Sequence, residues 1–236
     1  MRRSTAICLV WIGLCSGAPA AAQIAAPGPP GPFVVDVRGA ITAIPRDAAI
    51  FPAVPTGTET PSLGSGVVIG AHVYPLRLGP MRLGIGASAI RVRATASPAA
   101  PDSASASRSS STSLVATTPD VDATFTTFAP ELSLNFGSSQ GWSYISAGAG
   151  RAKLTTGTSA FGGGQSGVAA TDAQLLDGGS RSSFNVGGGA RWFTTAHVAF
   201  SFDVRLHIVS PGIAADNGQV LPRVTMFLAS AGVGFR

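Results

Sequence analysis

Nine side chains able to carry charge or move protons, Asp36, Arg38, His72, Arg82, Glu131, Arg191, Asp203, Arg205 and His207, are spread singly along the chain. Hydrolysis would need a serine or comparable nucleophile activated by a base, with a third group orienting that base. The histidines are His72, His197 and His207, and none has a serine within two positions. Such a site could be assembled only across strands, which leaves a membrane-surface lipid-modifying hydrolase as a third reading and no enzyme as the expectation. Three separated histidines without a neighbouring cysteine lack the ligand spacing of a transition-metal site, so neither metal nor cofactor is expected. The Gly-rich stretches are never followed by Gly-Lys-Ser/Thr, which argues against a phosphate-cradling loop.

The elements that must position these groups are β-strands. In residues 197–208, Val198, Phe200, Phe202, Val204, Leu206 and Ile208 alternate with Ala199, Ser201, Asp203, Arg205 and His207. Successive strand side chains point to opposite faces, so this segment has one apolar face and one charged face. The same alternation recurs in about 33–43, 64–76, 81–94, 123–137, 142–155, 183–193 and 223–236. It sets Val35, Val37 and Ile41 against Asp36, Arg38 and Thr42, and Val67, Ile69, Ala71 and Val73 against His72 and Tyr74. Leu83, Ile85, Ala87 and Ala89 likewise oppose Arg82, Gly84, Gly86 and Ser88. Arg91 and Arg93 fall on the apolar parity, which requires either that they reach a headgroup zone or that a bulge resets the strand. In 123–137, Phe128, Leu132, Leu134 and Phe136 oppose Glu131, Ser133 and Asn135, and Pro130 is expected to distort the ladder. The connections run long, short, long, short, long, short, long, with the long ones at 44–63, 97–118, 156–181 and 210–222. The fold predicted is all-β: an eight-stranded antiparallel up-and-down transmembrane barrel with both termini and all short turns at one end.

Composition supports this reading. Mean hydropathy is +0.33 with 11% charged residues, yet no apolar run after the first 22 residues is long enough for a spanning helix. Alternating lipid-facing residues account for both facts. At the N-terminus, Arg2 and Arg3, the apolar stretch 6–13 and Ala20-Ala21-Ala22 before Gln23 form a secretory signal. The organisation expected is a signal peptide over 1–22, a periplasmic linker over 23–32 and a barrel over 33–236. Both cysteines, Cys8 and Cys15, would leave with the signal, so stability must come from packing and hydrogen bonding. The net charge of +5 falls to +3 without Arg2 and Arg3, and the arginines are dispersed, which excludes a nucleic-acid-binding patch.

The segments Tyr74-Pro75-Leu76-Arg77-Leu78-Gly79-Pro80, Phe200-Ser201-Phe202-Asp203-Val204-Arg205 and 227–236 resemble the small outer-membrane barrels of the OmpA/OmpX type, the class called outer membrane protein beta-barrel domain. That resemblance implies residence in a Gram-negative-type outer membrane and contact with its lipid and lipopolysaccharide. It also implies insertion by the barrel-assembly machinery, which would read Phe227, Val233 and Phe235 as a terminal strand signal; here Arg236 follows Phe235. The nine polar residues named above are expected to form a charge-paired lumen network. The role expected is structural, envelope-stabilising or surface-interacting, for a monomer. The alternative is a narrow passive channel, which a continuous polar interior would favour.

Overall fold

The computed structural model describes residues 33–51, 54, 59–97, 120–138, 140–159 and 173–236. The expected signal and linker, and nearly all of the loop at 97–118, lie outside them. Eleven strands follow in chain order: β1 Phe33–Ala43, β2 Leu63–Leu78, β3 Met81–Ala96, β4 Asp120–Ser138, β5 Gly141–Ser159, β6 Ala173–Asp177, β7 Arg181–Phe193, β8 Val198–Val209, β9 Gly212–Ile213, β10 Val220–Leu221 and β11 Val224–Phe235.

Eight of these strands close a barrel. β1, β2, β3, β4, β5, β7, β8 and β11 pair antiparallel in that sequence, and β11 returns to β1, with Val35 opposite Phe235 and Thr42 opposite Leu228. Closure leaves no sheet edge among these eight, so the wall's backbone polar groups are paired within the chain, as a lipid surrounding demands. The β2–β3, β4–β5 and β7–β8 junctions lie with the start of β1 and the end of β11 at one end, the turn end; the other strand ends mark the opposite end, the loop end. At the β2–β3 turn Gly79 has φ 61°, the left-handed region open to glycine, and Pro80 follows it.

Alternation decides which side chain faces where. Val198 through Ile208 and the other expected apolar rows point outward, while Asp36, Arg38, His72, Glu131, Arg191, Asp203, Arg205 and His207 are buried inside. Three strands carry outward aromatic residues eight positions apart: Phe128 and Phe136 on β4, Phe184 and Trp192 on β7, Phe227 and Phe235 on β11. Eight residues span roughly 27 Å along a strand and about 20 Å once barrel tilt is included, which brackets the ~25 Å apolar band of a membrane barrel. These pairs mark two girdles, and no outward residue of the described wall between them is charged.

The strand pairing decides three local points. Arg91 and Arg93 keep the outward parity, because β3 pairs with β2 and β4 without a register shift around them. The bulge lies instead in β2, between Val73 and Leu76, where Pro75 has no N–H for the ladder. Pro130 interrupts without bulging: the β3–β4 ladder runs through it, while β4–β5 pairing skips Ala129 and Pro130 and resumes at Glu131 opposite Gly148 in the same register. In addition, part of the presumed loop 156–181 is strand, since β5 continues to Ser159 and β6 pairs with its end, and the loop at 210–222 folds into the β9–β10 hairpin.

Val204 lies midway along the outward row of β8. Val204→Arg is expected to destabilise the barrel in bilayers by about 2–4 kcal/mol, whereas the same change at the loop-end Thr225, one step beyond Phe227, costs about 1 kcal/mol or less. Urea titrations of the two variants in phosphatidylcholine vesicles check the difference.

Candidate functional site

The lumen has three layers. Nearest the turn end, Val34, Tyr74, Trp142 and Tyr144 form an apolar and aromatic layer, with Phe193 packed on it. The Trp142 ring is 5.7 Å edge-on from Tyr74 and 4.9 Å from Phe193, centroid to centroid. Toward the loop end, Ala40, Val68, Ile90, Val92 and Leu228 line one side of the interior. Above them a larger cluster joins inward residues of the wall, including Phe125, Leu154, Val209 and Met226, to Ile44, Ile50 and Phe51 of the β1–β2 connection, which folds back into the mouth. Thr156 anchors that segment by donating its hydroxyl to the Ile50 carbonyl at 3.1 Å.

Between these layers lie the charges. Arg191 grips Asp36 through two parallel bonds, Nη2 to Oδ2 at 2.5 Å and Nε to Oδ1 at 3.1 Å, and its guanidinium lies 4.3 Å from the centre of the Tyr144 ring. The Tyr144 hydroxyl accepts from Arg38 Nη1 at 2.9 Å and donates to Asp203 Oδ2 at 2.8 Å. Arg205 also holds Asp203 at two points, Nε to Oδ1 at 3.2 Å and Nη2 to Oδ2 at 3.1 Å. Its Nη1 donates to Glu131 and to Asn185 Oδ1, and its Nη2 to Ser146 Oγ. Glu131 accepts in addition from Ser88 Oγ, and His72 Nε2 stands 3.5 Å from its second oxygen. Three arginines thus face three carboxylates, formally neutral before any charge on His72. This balance is what makes burial of six charges tolerable, because an isolated ion in a low-dielectric interior costs several kcal/mol.

Seven of the nine expected lumen residues therefore meet: Asp36, Arg38, His72, Glu131, Arg191, Asp203 and Arg205. Two do not join by a hydrogen bond to these. Arg82 is only half-buried, near the β2–β3 turn. His207 is buried, but its ring packs edge-on against Phe125 at 5.8 Å, at the border with the apolar layer, and neither nitrogen has a hydrogen-bonding partner among the described residues. Tyr144, Ser146, Asn185 and Ser88 join the network in addition to the nine expected residues. Tyr144 and Ser146 sit on β5, whose small residues Ser143, Ala147, Ala149 and Gly150 blur the apolar rhythm; the tyrosine two positions from a serine was the available signal.

Ser88, His72 and Glu131 do converge, but not as a hydrolytic triad. In such a triad the histidine stands between serine and carboxylate; here serine donates directly to a carboxylate already engaged by Arg205. All three groups lie inside the lumen and are buried rather than at a rim.

At the loop end, outside the girdles, Lys153 Nζ donates to Asp177 Oδ2 at 2.8 Å, tying β6 to β5. That hydrogen bond holds the Asp177 carboxyl below its usual range.

Solved structures similar to this chain include outer membrane proteins. Neisserial surface protein A is 13% identical, with 86% of this chain and 96% of that one covered and a TM-score of 0.49. The attachment invasion locus protein Ail of Yersinia pestis is 14% identical, with coverages of 86% and 96% and a TM-score of 0.37. OmpT, an outer membrane protease from Escherichia coli, is 8% identical at the same coverages and a TM-score of 0.40. No protein-family model and no curated protein sequence matches the chain. The closed eight-strand architecture rests on the chain's own strand pairing.

Removing one partner from a buried ion pair is more damaging than replacing the pair, since the survivor is left without compensation. Glu131→Ala is expected to cost about 3–5 kcal/mol and to lower the temperature at which the folded band is lost on unboiled gels. Glu131→Leu combined with Arg205→Met is expected to recover part of that loss.

Proposed function

We propose that the chain is an outer-membrane barrel whose lumen is a sealed structural plug, and that its role is to span and stabilise the envelope while presenting its loop end to the exterior. The observation that carries this reading is the discontinuity of the polar interior. An ion entering from the loop end would pass Arg181, buried at the mouth where it donates to the Ser210 and Pro222 carbonyls, and would then meet the layer of Phe125, Leu154, Val209, Met226 and the infolded Ile50 and Phe51 before reaching the central charges. One leaving toward the turn end would meet Tyr74, Trp142 and Phe193. The charges between balance, three arginines against three carboxylates, so no net charge is left to attract a permeant ion. A passive channel, which needs polar groups from end to end, is the weaker reading.

Assignment to the outer membrane draws on the secretory signal at 1–22, the charge-free exterior between two aromatic girdles and the outward Phe227, Val233 and Phe235 of the last strand. With the short turns and termini in the periplasm, as in barrels of this architecture, the long connections face outward. A role without catalysis is supported by the engagement of Ser88 with Glu131.

Two measurements check the proposal. The protein should appear in the outer-membrane fraction as a band that migrates faster unboiled than boiled; a soluble, heat-insensitive protein would remove the membrane assignment. Reconstituted in planar bilayers, it should give no unitary conductance steps, and reproducible steps from the purified barrel would replace the plug with the channel.

A further inference from the structure

β3, β4 and β5 are 16, 19 and 19 residues long, beyond the ~9–11 that a tilted strand needs to cross a bilayer. They continue past the loop-end girdle as a ledge whose outer face changes character. On β4 the outward row runs Phe128, Thr126, Thr124, Asp122. Arg151 of β5 is the cross-strand partner of Phe128, level with the girdle; one step outward, Thr126 is flanked by Arg91 of β3 and Lys153 of β5, and in the next row Arg93 is the partner of Thr124. Neighbouring strands lie about 4.8 Å apart, so these four cationic positions cluster around Thr126 on the outer face. Arg93 is tied to Asp122 at 2.9 Å and Lys153 to Asp177 at 2.8 Å. Arg91 and Arg151 are exposed and make no ion pair among the described residues.

Four cations stand against Asp122 and Asp177, with Asp120 a further step along the β4 row, so the surroundings of Thr126 are positive immediately outside an apolar belt, where a phosphate joined to acyl chains would lie. We infer that this ledge is a binding site for the phosphate of an anionic membrane lipid, held by Arg91 and Arg151 over Thr126. The position supplies both halves of the ligand: guanidinium donors match phosphate oxygens, and the apolar wall below, including Phe128, Ala149 and Phe184, takes the chains. The ion-paired Arg93 and Lys153 hold the strands of the ledge in register and add to the positive field. The same chemistry explains how two arginines persist on the outward parity of β3, since their side chains extend along the wall toward the headgroups.

The inference rests on the membrane-spanning reading and fails separately from it. The full-length barrel, its Arg91→Gln/Arg151→Gln variant and a control with Arg46→Gln/Arg223→Gln at exposed loop positions are folded in mixed micelles of phosphatidic acid and phosphatidylcholine. Heat-modifiable migration is verified for each. Native mass spectrometry then reads which lipid stays bound. The wild type and the control are expected to retain phosphatidic acid preferentially, and the ledge variant to lose about thirtyfold of that preference, the fold-change equivalent to ~1 kcal/mol for each basic residue at an anionic membrane surface, summed over two residues. A ledge variant that folds and keeps the full preference overturns the site, and so does a control that loses it equally. Displacement of the lipid by excess inorganic phosphate would show a site for free phosphate instead, and would also overturn it. A wild type that fails to migrate as a folded barrel would count against the membrane reading itself.

Discussion

The structure depends on how the Arg205 guanidinium is neutralised. A permanently charged group at the centre of an eight-stranded barrel has no bulk water on either side, and its position on β8 between Val204 and Leu206 gives it nowhere else to point. It is therefore met by Asp203 from its own strand, Glu131 from β4, Asn185 from β7 and Ser146 from β5. The contacts come from four consecutive strands, half of the ring, so satisfying one cation fixes the relative register of all four. Asp203 passes the constraint through Tyr144 to Arg38 on β1, and the Tyr144 ring lies under Arg191, which holds Asp36.

Buried ion pairs are weak evidence for stability, because desolvation offsets most of the attraction. What these pairs supply is specificity. A one-residue slip of β1, β4, β7 or β8 would turn its inward charges into lipid and its apolar row inward, an outcome the network and the bilayer both oppose. The apolar layers above and below reinforce this by keeping water from competing for the guanidinium donors. They also explain why a lumen carrying six charges reads as a plug and not a path.

The architecture was legible in the sequence wherever the two faces differed sharply. β8 is the clearest case, since alternating Phe, Val and Leu with Ser, Asp and Arg admits one assignment. Legibility failed where small residues serve both faces. In β5 the Ser, Ala and Gly positions hid the inward Trp142 and Tyr144, although Tyr144 bridges the two ends of the network. It failed again for residues 44–51, whose composition reads as loop while Ile44, Ile50 and Phe51 seal the mouth, because long-range packing leaves no local periodicity. His207 shared the parity of the charged row but lies beyond it along the barrel axis; parity reports the face, not the height.

The account's central claim is that the lumen charges are sealed from water, and the side-chain N–H protons of arginine test it most directly. In nitrogen-15-labelled barrel in detergent, the Nε–H signals of Arg191 and Arg205 should persist long after transfer to heavy water, while those of Arg91 and Arg151 vanish at once. Exchange of all four at the same fast rate would contradict a sealed, paired lumen.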